Sequence, residues 1–149
     1  MKHLLIAALC GFASLPIFAA DTWVIGGTGD AYGVAYDISS LETHGDIKET
    51  WTIFVKPKLE NGVDYSADWV QFDCRTKKMR HTEASDRKFG SSKVKELPGG
   101  KWYRVEPGTI AKETLMRVCK NYQEPLGDFR NIEEAAKALR KHRKEHGIW

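Results

Sequence analysis

The chain has 149 residues, 42% of them hydrophobic and 29% charged, with five Trp, three Cys and a formal net charge of +3. That profile fits one ordinary folded domain and excludes intrinsic disorder and a fibrous repeat. The average charge conceals a division: residues 21–74 carry three basic and ten acidic side chains, a net of −7, whereas residues 75–149 carry 19 basic and ten acidic, a net of +9.

Met1-Lys2-His3 is a short positive start, and an apolar run over residues 4–20 follows it, broken by Gly11, Ser14 and Pro16 and ending in Ala19-Ala20. This pattern predicts a secretory signal peptide, too short and too Pro-broken for a membrane span. Cys10 lies inside the run without the Leu three residues before it, or the small residue directly before it, that lipid attachment needs, so no lipid anchor is expected. The expected mature chain, residues 21–149, has no second run long enough to cross a bilayer.

From residue 21 to about 97 the apolar pattern alternates. Tyr32, Val34, Tyr36 and Ile38 share one parity, as do Ile47, Trp51, Ile53 and Val55, and later Val70, Phe72 and Cys74. Each run predicts a strand with one buried face, as in an antiparallel sheet. Turn signals separate the runs at Gly26-Gly27-Thr28-Gly29-Asp30, His44-Gly45-Asp46, Glu60-Asn61-Gly62 and Leu97-Pro98-Gly99-Gly100. The polar segments 78–85 and 93–97 fit edge or solvent-facing strands.

After Pro107-Gly108 the period becomes helical. Thr109 is the expected cap of a helix whose core face carries Ala111, Leu115, Val118, Cys119 and Tyr122. Two cysteines of the mature chain, Cys74 and Cys119, form an even pair in a chain expected to be exported, which predicts a disulfide stapling helix to sheet. Beyond Pro125-Leu126-Gly127 a second helix is expected, opened by Asp128 or Asn131 and closed by Gly147. Its apolar stripe, Ile132, Ala135, Ala136 and Leu139, covers about two turns, and the following Arg140-Lys141-His142-Arg143-Lys144 is entirely polar, so this helix is expected to pack weakly or project. The fold class is therefore α+β: an antiparallel sheet against a disulfide-tethered helix, with a basic C-terminal helix. The expected organisation is a signal peptide over residues 1–20, a domain over 21–122 and a helical appendage over 123–149.

Catalytic and cofactor motifs are weak. Gly27-Thr28-Gly29 is followed by Tyr32 where a dinucleotide fingerprint needs its third glycine, and by a strand instead of a helix, so it reads as a hairpin turn. His142 and His146 are four apart on a helix, short of the three or four ligands a metal requires. No Gly-x-Ser-x-Gly motif occurs, and no enzymatic activity, cofactor or metal is expected. Charge is the stronger signal. Arg75, Lys77, Lys78 and Arg80 open one basic run, which continues through Arg87, Lys88, Lys93 and Lys95. Lys137, Arg140, Lys141, Arg143 and Lys144 form a second. Such clusters attract polyanions by counterion release, and for an exported chain these are sulfated glycans, acidic proteins or anionic head groups ahead of nucleic acid. The acidic and basic halves also permit self-association, and Trp149 is expected to be exposed or docked in a groove.

Several of these segments, taken together, resemble a known family. They are Trp23 to Gly29, Ala35-Tyr36-Asp37-Ile38-Ser39-Ser40, the Trp-centred strand from Ile47 to Lys58, Val70-Gln71-Phe72-Asp73-Cys74, Trp102 to Thr109, and Leu115-Met116-Arg117-Val118-Cys119. The chain resembles the surface-adhesin protein E-like family of Gram-negative bacteria over residues 22–122. The resemblance implies a sheet with a packed helix, a Cys74–Cys119 bridge, and adhesion to host matrix or serum proteins, with dimerisation. The expected function is thus an exported non-enzymatic binding protein of the periplasm or cell surface. Its partner would be a host extracellular-matrix or serum protein or an acidic envelope protein. The alternative is a periplasmic accessory or hydrolase-inhibitor protein.

Overall fold

The structure is a computed structural model and describes residues 20–149. The expected signal peptide and Cys10 lie outside the described residues. The elements run in chain order β1 (Asp21–Thr28), β2 (Gly33–Asp37), β3 (Glu42–His44), β4 (Ile47–Glu60), β5 (Val63–Asp73), β6 (Lys78–Arg87), β7 (Val94–Leu97), β8 (Tyr103–Arg104), α1 (Ile110–Cys119), β9 (Pro125–Phe129) and α2 (Ile132–Glu145). The strands form one antiparallel sheet in the order β7-β6-β5-β4-β2-β1-β9, with β3 pairing the start of β4 and β8 the start of β6. The long β4–β5 hairpin turns at Asn61 and Gly62, whose φ of 51° and 76° are what a two-residue type I′ turn demands. Of the two polar segments, β7 lies at the sheet edge. β6 is instead held by β5 along its length and by β7 and β8 on parts of its other side.

The two helices take opposite faces of this sheet. Neighbouring residues on a strand point to opposite sides, and Trp23 and Val24, like Ala35 and Tyr36, fall into different core clusters. Leu115 and Val118 of α1 pack with Val24, Tyr36, Val70, Phe72, Met79 and Val105. Ala135, Ala136 and Leu139 of α2 pack with Trp23, Ala35, Ile53, Val55, Tyr65 and Ala67. The expectation of a single buried face is therefore corrected: all five residues of β2 are buried. The weakly packed appendage is corrected too. Ala135, Ala136 and Leu139 are completely buried, and β9, where the sequence marks only the boundary before the second helix, adds an edge strand against β1. The stripe is thin because its residues are small, and small residues let a helix approach a sheet closely.

Both helices begin at a cap residue that the sequence offers, but α1 ends at Cys119, and Tyr122, expected on its core face, lies beyond it and is 52% exposed. The Thr109 side chain accepts from the Lys112 amide, and the Asn131 side chain accepts from the Glu134 amide at 3.0 Å. Past α2, Gly147 adopts φ 66° and the Ile148 amide donates to the Arg143 carbonyl; past α1, Asn121 at φ 54° and the Tyr122 amide repeat the motif. Cys74, one residue past β5, is bonded to Cys119 at the end of α1 with their Cα atoms 5.5 Å apart. Gly26, Gly27 and Thr28, expected in a hairpin turn, are instead the last residues of β1, and Gly27 and Gly29 serve packing, since a Cβ at Gly29 would come within 2.2 Å of Ile110 at the start of α1.

Candidate functional site

The first basic run of the sequence divides, and its second half lies at the same end of the sheet as the run on α2. Arg75, Lys77 and Lys78 lie at the β5–β6 turn, where Arg75 pairs with Asp46 at 2.9 Å and the Lys77 ammonium donates to the Cys74 carbonyl. Arg80 donates to Gln71 at 2.6 Å and lies over the Trp102 ring. The remaining cations, Arg87 to Lys95 and those of α2, lie at the opposite end of β5, on the order of 30 Å away for a strand of this length.

At that second end the segment between β6 and β7 is pinned by its backbone. The Phe89 amide donates to Asp64 and the Gly90 amide to Glu133, each at 3.0 Å. The Phe89 ring stacks on Tyr65 and lies beneath the Arg140 guanidinium, 4.5 Å away, and the Lys137 ammonium, 5.6 Å away. Arg140 is spent on the fold: its three nitrogens donate to the Asp64 carboxylate, the Asp64 carbonyl and the Lys56 carbonyl. Lys137 pairs with Glu133, and Lys141 with Glu145.

Arg143 does not belong to a solvated cluster at all, a second correction to the reading of α2. It is 0% exposed, donates to the Gly29 carbonyl, and lies 4.4 Å from the Trp149 ring. Burial lowers its pKa against the opposing pull of Asp30 and Glu113. A Cβ on Gly33 would sit 2.4 Å from the Arg143 side chain, so that strand position is kept empty for it. Trp149 is docked within its own chain, its indole nitrogen donating to Gly29 at 3.4 Å.

The fold assembles something the sequence does not display. Between the β4–β5 hairpin and the β6–β7 segment lies a cavity of about 500 Å³, lined by Lys56, Arg87, Lys88, Lys93 and Lys95, with Asp86 as its one carboxylate. Lys88, Lys93 and Lys95 have no ion-pair partner among the described residues. A second cavity of about 320 Å³ shares Lys56, Val63 and Asp86 with it and adds Tyr32, Phe54, Ser66 and Glu60. Together they make a groove that is cationic at one end and aromatic at the other. Lys56, Tyr32 and Phe54 come from the acidic half of the sequence, so charge counting pointed away from them.

Aromatic side chains continue from the groove across this face of the sheet. The Tyr32, Phe54, His81 and Tyr103 rings follow one another at centroid separations of 6.0, 5.5 and 6.1 Å. Buried Asp68 holds His81 Nδ1 at 2.7 Å, and His81 Nε2 is 3.2 Å from the Tyr103 hydroxyl. Although Tyr103 is 40% exposed, burial around its hydroxyl, with Tyr32 and Asp68 adding, pushes it up to about 12, so the phenol stays neutral. The chain of bonds fixes the orientation of the His81 and Tyr103 rings.

Two histidine groups lie elsewhere. His44 Nε2 is 3.2 Å from Glu42 and 3.3 Å from Glu49 at the exposed end of the β3–β4 hairpin. Glu49 also accepts from the Trp69 indole and the Gln71 amide, so this cluster reads as an ion-pair network tying β3 to β5. The His142 and His146 rings stack at 4.1 Å, and burial, with His146 adding, lowers the pKa of His142.

No helix among the described residues is long and apolar enough to cross a membrane. In comparisons with known proteins, no family model, no curated protein and no solved structure matches the chain.

Proposed function

We propose that the chain is an exported, non-enzymatic binding protein that engages an anionic macromolecular partner through the groove between the β4–β5 hairpin and the β6–β7 segment. One observation carries this reading: five cationic side chains line the cavity against a single carboxylate, and four of them, Arg87, Lys88, Lys93 and Lys95, have no ion-pair partner among the described residues. Cations held this way cost self-repulsion, and they give an incoming polyanion its field. Export is supported by the leader-like residues 1–20 and by the Cys74–Cys119 bridge, a bond that persists in oxidising compartments. A host matrix or serum protein bearing anionic chains, as the family resemblance implies, meets this requirement, and so does an acidic envelope protein.

Elution from immobilised heparin in a salt gradient tests the reading. Replacing Lys93 and Lys95 by Glu is expected to move elution to much lower salt, because two of the unpaired cations become anions. The matched Lys77→Glu/Lys78→Glu pair at the far end is expected to leave elution nearly in place. Equal loss from both pairs would reduce the groove to general surface charge and overturn the reading.

One feature favours a second reading, the inhibitor of an exported hydrolase. The β4–β5 hairpin extends beyond its neighbours to a tip where Leu59 is 46% exposed beside Lys56 and Lys58. An exposed apolar residue close to a hairpin tip, with Lys58 on one side and Glu60 on the other, suits insertion into an acidic cleft that accepts the lysines. Recovery of an endogenous hydrolase by pull-down, lost on Leu59→Asp, would support this reading over adhesion.

A further inference from the structure

We infer that the groove takes an acidic glycan: sugar rings lie on its aromatic end and their acid groups meet its lysines. This deepens the reading above by naming the class of its anionic partner. The inference comes from strand register. Phe54 lies opposite Ser66, Ser66 opposite Asp86, and Asp86 opposite Lys95, in successive antiparallel pairs. Directly opposed residues share a face at a spacing of about 5 Å, so a ring, a hydroxyl, a carboxylate and an ammonium stand in line across β4, β5, β6 and β7. Tyr32 packs edge-on against Phe54, and Lys93 stands beside Lys95 on the cavity wall.

Each member of that line matches one part of an acidic sugar. The flat C–H face of a pyranose stacks on an aromatic ring, its hydroxyls donate to Ser66 and Asp86, and its carboxylate or sulfate pairs with Lys93 and Lys95. Asp86 is the discriminating residue. It has no ion-pair partner among the described residues, and a carboxylate in the middle of a cationic groove opposes any anionic ligand that brings it no hydrogen-bond donor. It therefore disfavours a polyphosphate strand, which has no donor to offer it, and favours a polymer rich in hydroxyls over a polyacidic peptide, whose donors are one backbone amide per residue. The aromatic end is likewise wasted on a partner recognised by charge alone.

The test titrates the purified chain with three probes of matched charge: a heparin hexasaccharide, poly-L-glutamate and a short inorganic polyphosphate, the last two having no ring to stack. The hexasaccharide is expected to bind about tenfold more tightly than either other probe, the equivalent of one stacked ring. Tyr32→Ala and Asp86→Asn are each expected to weaken the hexasaccharide about fivefold to tenfold, the worth of one stacking contact or one charged hydrogen bond. Binding of poly-L-glutamate should be unchanged by Tyr32→Ala and improved by Asp86→Asn. Lys93→Gln/Lys95→Gln should weaken all three. If Asp86→Asn improves every probe alike, or polyphosphate or poly-L-glutamate binds as well as the sugar and ignores Tyr32→Ala, the glycan inference is overturned while the anion groove stands. If no probe binds, or Lys93→Gln/Lys95→Gln changes nothing, the groove reading falls with it. Circular dichroism of each variant separates lost binding from lost fold.

Discussion

Removing the Cys74–Cys119 bridge is expected to lower stability by about 4 kcal/mol, the chain-entropy value for the 45-residue separation it closes. For a domain of this size that is a fall in Tm of roughly 15 °C, read by thermal melts of the oxidised chain, the reduced chain and the Cys74→Ser/Cys119→Ser double variant. The bridge matters because of what it encloses. It joins the end of β5 to the end of α1, so β6, β7 and β8 lie within its loop, and β7 and β8 are short strands with few hydrogen bonds of their own. Two of the groove lysines sit on or beside β7. A shift of only a few degrees would mean that the burial of Leu115 and Val118 holds α1 without help.

Leu139→Ala is expected to cost about 3 kcal/mol, the usual range for a fully buried leucine whose site cannot collapse. Leu139 is fully buried against Trp23, Ala35, Ile53 and Val55, between a helix and a sheet that cannot move together without dragging β9. Urea unfolding should show the loss as a lowered midpoint with an unchanged slope, while Lys144→Ala, on the exposed side of the same helix, should stay within about 0.5 kcal/mol. Equal, small effects from the two would mean that α2 projects after all.

These two predictions mark what is legible in the sequence and what is not. Alternation placed β2, β4 and β5, and the cap residues Thr109 and Asn131 marked where both helices begin, because each of those signals is local. The cysteine pair needed only parity and compartment. The docking of α2 was hidden for a physical reason: a stripe of one isoleucine, two alanines and one leucine reads as weak hydrophobicity, yet small side chains at its centre allow the closest approach. Arg143 was hidden by its charge. Counted as solvated, it is buried, its stem accommodated by the bare Cα of Gly33. β9 escaped because Pro125 and Gly127 spell a turn, and its pairing with β1 is irregular at Trp23 and Val24.

The groove lay further out of reach. Lys56 and Phe54 belong to a half of the chain with a net charge of −7, and Lys93 and Lys95 to a half with +9. Only the register of β4 on β5, of β5 on β6 and of β6 on β7 sets them on one face. Composition signalled that basic residues cluster, but not that the run opened by Arg75 divides between the two ends of the sheet, nor that Arg140 is fully engaged by Asp64 and Lys56.

The most direct test of the groove as the binding surface is a map of backbone amide shifts as heparin oligosaccharide is added to the isotope-labelled chain. The account predicts that the largest changes fall on Tyr32, Phe54, Lys56 and residues 86–95, with Arg75, Lys77 and Lys78 little affected. Changes centred on the β5–β6 turn, or spread evenly over every lysine and arginine on the surface, would contradict it.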